Sequence, residues 1–117
     1  MITWCYIACF IDTDGSVGVY MQKQKSYYKG KLYKGIYKRV RISFFNDDKN
    51  VLELIKKFIK YKGKVSPKAT RENGKVGYAL YINNHELTKK ILKQCIPFMI
   101  IKKAKAKECF DFLNSIT

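Results

Sequence analysis

Acidic residues are scarce in this chain: nine Asp and Glu stand against 24 Lys and Arg, leaving a formal net charge of +15 on 117 residues. Such a surface repels itself unless a polyanion neutralises it, which puts nucleic acid first among partners and sets small-molecule substrates aside. Long apolar runs are missing too. The longest, Trp4 to Ile11, covers eight residues, whereas a bilayer-spanning helix needs about 20, so a membrane protein is excluded. No Lys or Arg precedes that run, and Asp12 and Asp14 follow it directly, so it is not read as a signal-peptide core and an intracellular protein is expected. The four cysteines, Cys5, Cys9, Cys95 and Cys109, lack C-x-x-C spacing and the density of a disulfide scaffold; reduced, buried thiols are expected. His85 is the one histidine, and with no second His it suggests no metal site of its own. The 47% of apolar residues suffices for one modest core, which predicts a single domain over 1–117.

What is present is unevenly placed. No acidic residue occurs between Asp14 and Asp47, while eight basic ones do: Lys23, Lys25, Lys29, Lys31, Lys34, Lys38, Arg39 and Arg41. Five tyrosines share that stretch, and its β-prone, roughly alternating composition predicts strands near 16–27 and 36–45, joined through Gly30 and Gly35 into a long basic hairpin. From Asp47 or Asp48, Val51, Leu52, Ile55, Phe58 and Ile59 recur at helical spacing as far as Gly63, which predicts an amphipathic helix with a glycine stop. A second hairpin is expected over 64–71 and 76–82 about the Glu72-Asn73-Gly74 turn. Asn83 with Glu86 then fits a capping box opening a helix closed by Pro97, and a last helix runs from Lys103 to about Asn114. The order α-β-β-α-β-β-α-α predicts an α+β fold: a four-stranded antiparallel sheet with helices on one face and a basic opposite face. Phe44, Phe58, Tyr61, Phe98, Phe110 and Phe112 are assigned mainly to the core.

The first helix is anomalous, being apolar on every side from Trp4 to Ile11. It is either a central core helix or the seam of a two-fold dimer, in which small Ala8 and Cys9 permit close approach. Asp12-Thr13-Asp14-Gly15 follows, with two carboxylates at a helix C-terminus where the macrodipole disfavours them. One reading is an ordinary Asp-Gly turn. The sharper one is that a carboxylate there holds a hard divalent cation such as Mg²⁺, which about a two-fold axis yields paired metals suited to phosphodiester cleavage.

The segment Ile7-Ala8-Cys9-Phe10-Ile11-Asp12-Thr13-Asp14-Gly15 resembles the LAGLIDADG motif of homing endonucleases. The Ala, Ile, both Asp and the Gly match; Ile7 and Phe10 are conservative replacements, Cys9 stands for the helix-packing Gly and Thr13 for a small Ala. The element order is similar to that family's fold across nearly the whole chain. The resemblance implies that Asp14 is the catalytic, metal-binding carboxylate, with the Gly15 backbone beside it and Asp12 structural. It implies that Asn46, at the end of the second strand, stands near the attacking water where the family commonly has Gln. In Pro97-Phe98-Met99-Ile100-Ile101-Lys102 it implies that Lys102 faces the active site, with Lys103 close enough to blur the register. Either lysine would stabilise charge on the phosphate in transition. The cofactor implied is Mg²⁺, with Mn²⁺ or Ca²⁺ able to substitute for binding.

A single motif copy implies a homodimer on a palindromic or near-palindromic duplex, with Trp4, Ile7, Ala8, Ile11 and Asp12 at its interface and one half-site per subunit. A two-stranded ribbon fits the major groove. Counting at period two from Asp14, one face of the hairpin carries Ser16, Gly18, Tyr20, Gln22, Gln24 and Ser26, with Tyr37, Arg39, Arg41 and Ser43 on the returning strand. Gln and Arg suit base edges, Lys23 and other lysines suit phosphate, and Lys68, Arg71 and Lys75 extend the contact. Two half-sites of one turn each make a target on the order of 20 base pairs. The expected activity is sequence-specific cleavage of double-stranded DNA. Two alternatives stay open: a non-catalytic DNA binder or RNA maturase on the same scaffold, and a basic ribosome-associated RNA-binding protein whose motif match is accidental.

Overall fold

In the computed structural model, residues 2–70, 74 and 76–116 are described, with side chains for all of these except 23–28, 33–34, 36–37 and 69–70. Helix α1 (Trp4–Asp14) is followed by strands β1 (Gly15–Tyr28) and β2 (Lys31–Asn46) and helix α2 (Lys49–Ile59). Strands β3 (Ser66–Thr70) and β4 (Val76–Ile82), helix α3 (His85–Cys95), a 3₁₀ turn over Ile96–Phe98 and helix α4 (Lys103–Ser115) complete it. The strands form one antiparallel sheet in the order β1-β2-β4-β3. Val17, Val40, Ile42, Phe44, Leu80 and Ile82 point from alternate positions toward Ile7 and Ile11 of α1, Leu52, Ile55 and Ile59 of α2, and Ile91 and Leu92 of α3, making one core. Each such side chain contributes about 1.5–3 kcal/mol when fully buried. The opposite positions, among them Ser16, Gly18, Tyr20, Arg39 and Arg41, are left for the other face.

The predicted order and layering hold, and four details differ. The first hairpin is longer than its sequence suggests. Its strands run to a two-residue turn in which Lys29 (φ 50°) and Gly30 (φ 78°) both take the left-handed conformation, the geometry that matches strand twist. Gly35, expected to break the strand, pairs with Gln24 inside it. Helix α2 stops at Ile59 rather than Gly63, because Lys60 turns left-handed (φ 59°) and the Lys60 N–H bonds back to Lys56 and Lys57 carbonyls. Gly63 instead makes room for the Tyr61 ring, against which any Cβ would collide. The α3 cap is Asn84, whose Oδ1 accepts from the Leu87 N–H at 3.1 Å, not Asn83, which is engaged elsewhere. Phe98 is exposed rather than core. The second hairpin's turn falls mostly outside the described residues.

Gly15 joins helix to sheet where no side chain fits: a Cβ there would lie 2.6 Å from the Ser43 carbonyl oxygen and 3.0 Å from the Ile11 Cα. The close approach fixes where α1 ends relative to β2. It therefore fixes Asp14.

Candidate functional site

The C-terminus of α1 is held by a reciprocal clamp. Helix-end carbonyls lack intrahelical donors, and here the Lys102 ammonium supplies them, donating to the carbonyls of Ile11 (2.9 Å), Asp12 (3.1 Å) and Gly15 (2.7 Å). In return the buried Asp12 carboxylate accepts the N–H groups of Ile100 (2.6 Å), Ile101 (3.3 Å) and Lys102 (3.0 Å), the segment that opens α4. Burial pushes the Asp12 carboxyl up, but the three N–H donors and the Lys102 charge pull harder, and it rests below its ordinary 3.8. A cation at a helix C-terminus also offsets the dipole that opposes Asp12 and Asp14. Of the two adjacent lysines, Lys102 reaches the end of α1, whereas Lys103 is exposed on the first turn of α4.

Asp14 is the outlier of this cluster, exposed at the last position of the helix. Its carboxylate and the Gly15 carbonyl are oxygen donors of the kind a hard divalent cation takes, and Mg²⁺ in particular keeps few protein ligands, filling its other positions with water and phosphate. The donor set fits such an ion once the Gly15 carbonyl releases the Lys102 ammonium that it accepts at 2.7 Å. Among the described residues no group of three or more His, Cys, Asp or Glu forms a closed metal cage. Asn46 is half-buried at the end of β2, and its Oδ1 accepts the Asp48 N–H at 2.8 Å; that bond ties the carbonyl end of its amide into the β2–α2 turn. His85 is held below its ordinary 6.5 by burial and then by the charge of Arg39, and its Nε2 accepts the Val40 N–H at 3.5 Å.

The residues expected at a seam on α1 are turned toward the rest of this chain. Ile7, Ala8 and Ile11 have no exposure because they belong to the core under the sheet, and Asp12 has only 7% because the Ile100–Lys102 segment covers it, while half-buried Trp4 packs edge-on against Phe58 at 4.9 Å. The open side carries Cys5, Tyr6, Cys9 and Thr13. Two of the four thiols, Cys5 and Cys9, are accordingly exposed rather than buried, whereas burial pushes Cys95 up to about 12. Ile100 and Ile101, at 85% and 71% exposed, add apolar surface beside the clamp.

On the sheet face, Arg41 lies across from Gly18. Its guanidinium sits over the Tyr20 ring at 4.3 Å and the Tyr81 ring at 5.1 Å, and its Nε donates to the Asn83 Oδ1 at 3.0 Å. Lys68 from β3 lies over the Phe45 ring at 3.9 Å. Ser16, Ser43 and Arg41 line one shallow groove with Lys105 of α4. Gln22 is exposed farther along β1, and Arg39 is half-buried on β2. The side chains of Lys23, Gln24, Ser26 and Tyr37, and all of Arg71 and Lys75, lie outside the described residues. Sequence reasoning missed Tyr81, Asn83 and Lys105. Period two along β4 puts Tyr81 and Asn83 on one face, so two of the three had a signal.

The sequence matches the LAGLIDADG endonuclease family over residues 7–115. No curated protein sequence shows significant similarity to the chain. Among solved structures it is similar to the homing endonuclease I-TnaI (17% identity, TM-score 0.74, 98% of this chain and 74% of that one). It is similar as well to the archaeal intron-encoded homing endonuclease I-Vdi141I complexed with DNA (24%, 0.72, 97% and 67%). A third likeness is to the homing endonuclease I-CvuI in complex with the I-CreI target in the presence of Mg (19%, 0.68, 95%), of whose length the chain spans 65%. At these identities the structures attest the αββαββα fold; the motif ending at Asp14-Gly15 and the match over nearly the whole sequence establish that the chain belongs to the LAGLIDADG endonuclease family.

Proposed function

We propose that this protein is a sequence-specific, divalent-cation-dependent endonuclease that cleaves double-stranded DNA as a homodimer on a palindromic or near-palindromic site, in the manner of intron or intein mobility enzymes. The observation that carries this reading is the contrast between two carboxylates two residues apart. Asp12 is buried and saturated by three backbone donors, while Asp14 is left exposed beside a basic sheet face. A helix end that disfavours anions keeps a free carboxylate only where something gains from it. Asp14 and the Gly15 carbonyl would hold the cation, which supplies charge neutralisation and water activation at the phosphate. The clamp sets the position of Asp14 by fixing the helix end, and Lys102, by giving up its bond to the Gly15 carbonyl, would bring an N–H to a phosphate oxygen as charge develops. Basic residues of the sheet would anchor the duplex through its phosphates.

A duplex library randomised around a dyad, incubated with the protein and Mg²⁺ and sequenced at its cut ends, tests the proposal. Discrete ends with a two-fold consensus are expected. Bound but uncut DNA would move the assignment to a binder or maturase, and neither binding nor cutting would move it to RNA.

The dimer has its own test. Were two α1 helices to pack by their open sides, Cys5 or Cys9 would meet its own copy, and a disulfide forms only when the Cα atoms come within about 7 Å. Mild oxidation is expected to give a covalent dimer in denaturing, non-reducing electrophoresis, unchanged in Cys95→Ser and lost in the Cys5→Ser, Cys9→Ser double variant. A monomer by native mass measurement with no such cross-link would overturn the homodimer.

A further inference from the structure

We infer that Arg41 is a fixed reader of a guanine in each half-site; the inference rests on the proposed DNA-binding reading and names what the sheet recognises. An arginine on a strand is ordinarily a mobile side chain whose ordering opposes binding. Arg41 is held on three sides. Tyr20 and Tyr81, from the two strands flanking β2, place rings at 4.3 and 5.1 Å from the guanidinium carbon. Asn83 takes the Nε–H at 3.0 Å, and the Tyr20 hydroxyl donates to the same oxygen at 3.5 Å, so that one amide braces both members of the stack. Gly18, directly across on β1, adds no side chain to cover the guanidinium. With Nε occupied, the two terminal nitrogens are left to act together as an end-on fork, which matches the paired N7 and O6 acceptors of guanine in the major groove.

The rest of the groove agrees. Its lining, which includes Ser16, Gly18, Ser43 and Lys105, contains no carboxylate, so two cations face it without an internal counter-charge. The Lys105 ammonium, 3.7 Å from where a Gly18 Cβ would stand, is a flexible point charge suited to a phosphate rather than to a base edge. Gly18 is four residues along β1 from Asp14, about 13 Å at strand rise. At about 3.4 Å per base step the guanine is expected some four base pairs outward from the cut.

The test is a binding selection without cleavage: the whole protein with Ca²⁺ and a randomised duplex library, for wild type, Arg41→Lys, Asn83→Ala and Lys105→Ala, each confirmed folded by its thermal melt. Wild type is expected to enrich one near-invariant guanine per half-site. Arg41→Lys should relax that position alone by tenfold or more. Asn83→Ala, which leaves the arginine in place but unbraced, should relax the same position less. Lys105→Ala should lower affinity with the profile intact. An Arg41→Lys profile indistinguishable from wild type, or a uniform loss across all positions, would overturn the guanine assignment while leaving DNA binding standing. If wild type itself enriches no duplex, both the DNA-binding reading and this inference fall.

Discussion

Asp14→Asn is expected to reduce DNA cleavage by about 10³-fold or more while leaving the fold and the affinity for duplex essentially unchanged. The expectation follows from what the carboxylate does and does not touch. Its side chain is exposed at the last helical position, so no packing is lost on substitution. Removing a negative charge from a helix C-terminus relieves an unfavourable dipole interaction of about 0.3–1 kcal/mol, so the variant should melt at the wild-type temperature or slightly above it. Affinity should hold or rise, since one anion fewer faces the phosphates. Loss of activity with equal or greater stability is the mark of a group kept for chemistry at the expense of the fold. Gel-shift affinity in Ca²⁺, cleavage rate in Mg²⁺ and the melting temperature, measured on the same preparations, separate the outcomes. Cleavage persisting at near the wild-type rate would remove Asp14 from the chemistry, and a large drop in melting temperature would recast it as structural.

Much of the fold was legible because burial imposes periodicity. The alternation of Tyr78, Leu80 and Ile82 and the helical recurrence of Leu52, Ile55 and Ile59 each report a face turned to the core, and the motif through Gly15 marks where helix meets sheet. What was not legible depended on tertiary partners. Gly63 looks like a helix stop, yet its lack of a side chain serves the Tyr61 ring, while Lys60 ends the helix from the left-handed region that its type seldom adopts. Which side of α1 meets the sheet was not legible, because a helix apolar all round carries no phase. Only the sheet decides that Ile7, Ala8 and Ile11 turn inward and Tyr6 and Cys9 outward. Asn83 and Asn84 are adjacent and chemically alike, and their division into arginine brace and helix cap follows from Arg41, more than 40 positions away in sequence. At the candidate site, the family resemblance singles out Asp14 and Lys102 as candidates, but that Lys102 spends its donors on three carbonyls follows only from the tertiary fold.

Asp12→Asn should lower the stability of the whole protein at neutral pH by about 2–4 kcal/mol, the range for a buried charged acceptor stripped of its charge-assisted bonds. The amide keeps one acceptor oxygen, but its NH₂ must then face an N–H of Ile100, Ile101 or Lys102, donor against donor, in a place with 7% exposure. Chemical denaturation at pH 7 gives the size of the effect, and its pH dependence identifies the cause. Because the folded-state pKa of Asp12 lies below 3.8, its contribution is complete above the unfolded-state value of about 3.9 and drains away as pH falls through the folded value. The gap between wild type and variant should therefore be constant from neutral pH down to about 5 and close progressively below 4. A gap that persists unchanged at pH 2 would assign the loss to packing rather than to the carboxylate. No gap at pH 7 would mean that the Lys102 side of the clamp holds the helix end alone, and the position of Asp14, two residues on, would then owe nothing to Asp12.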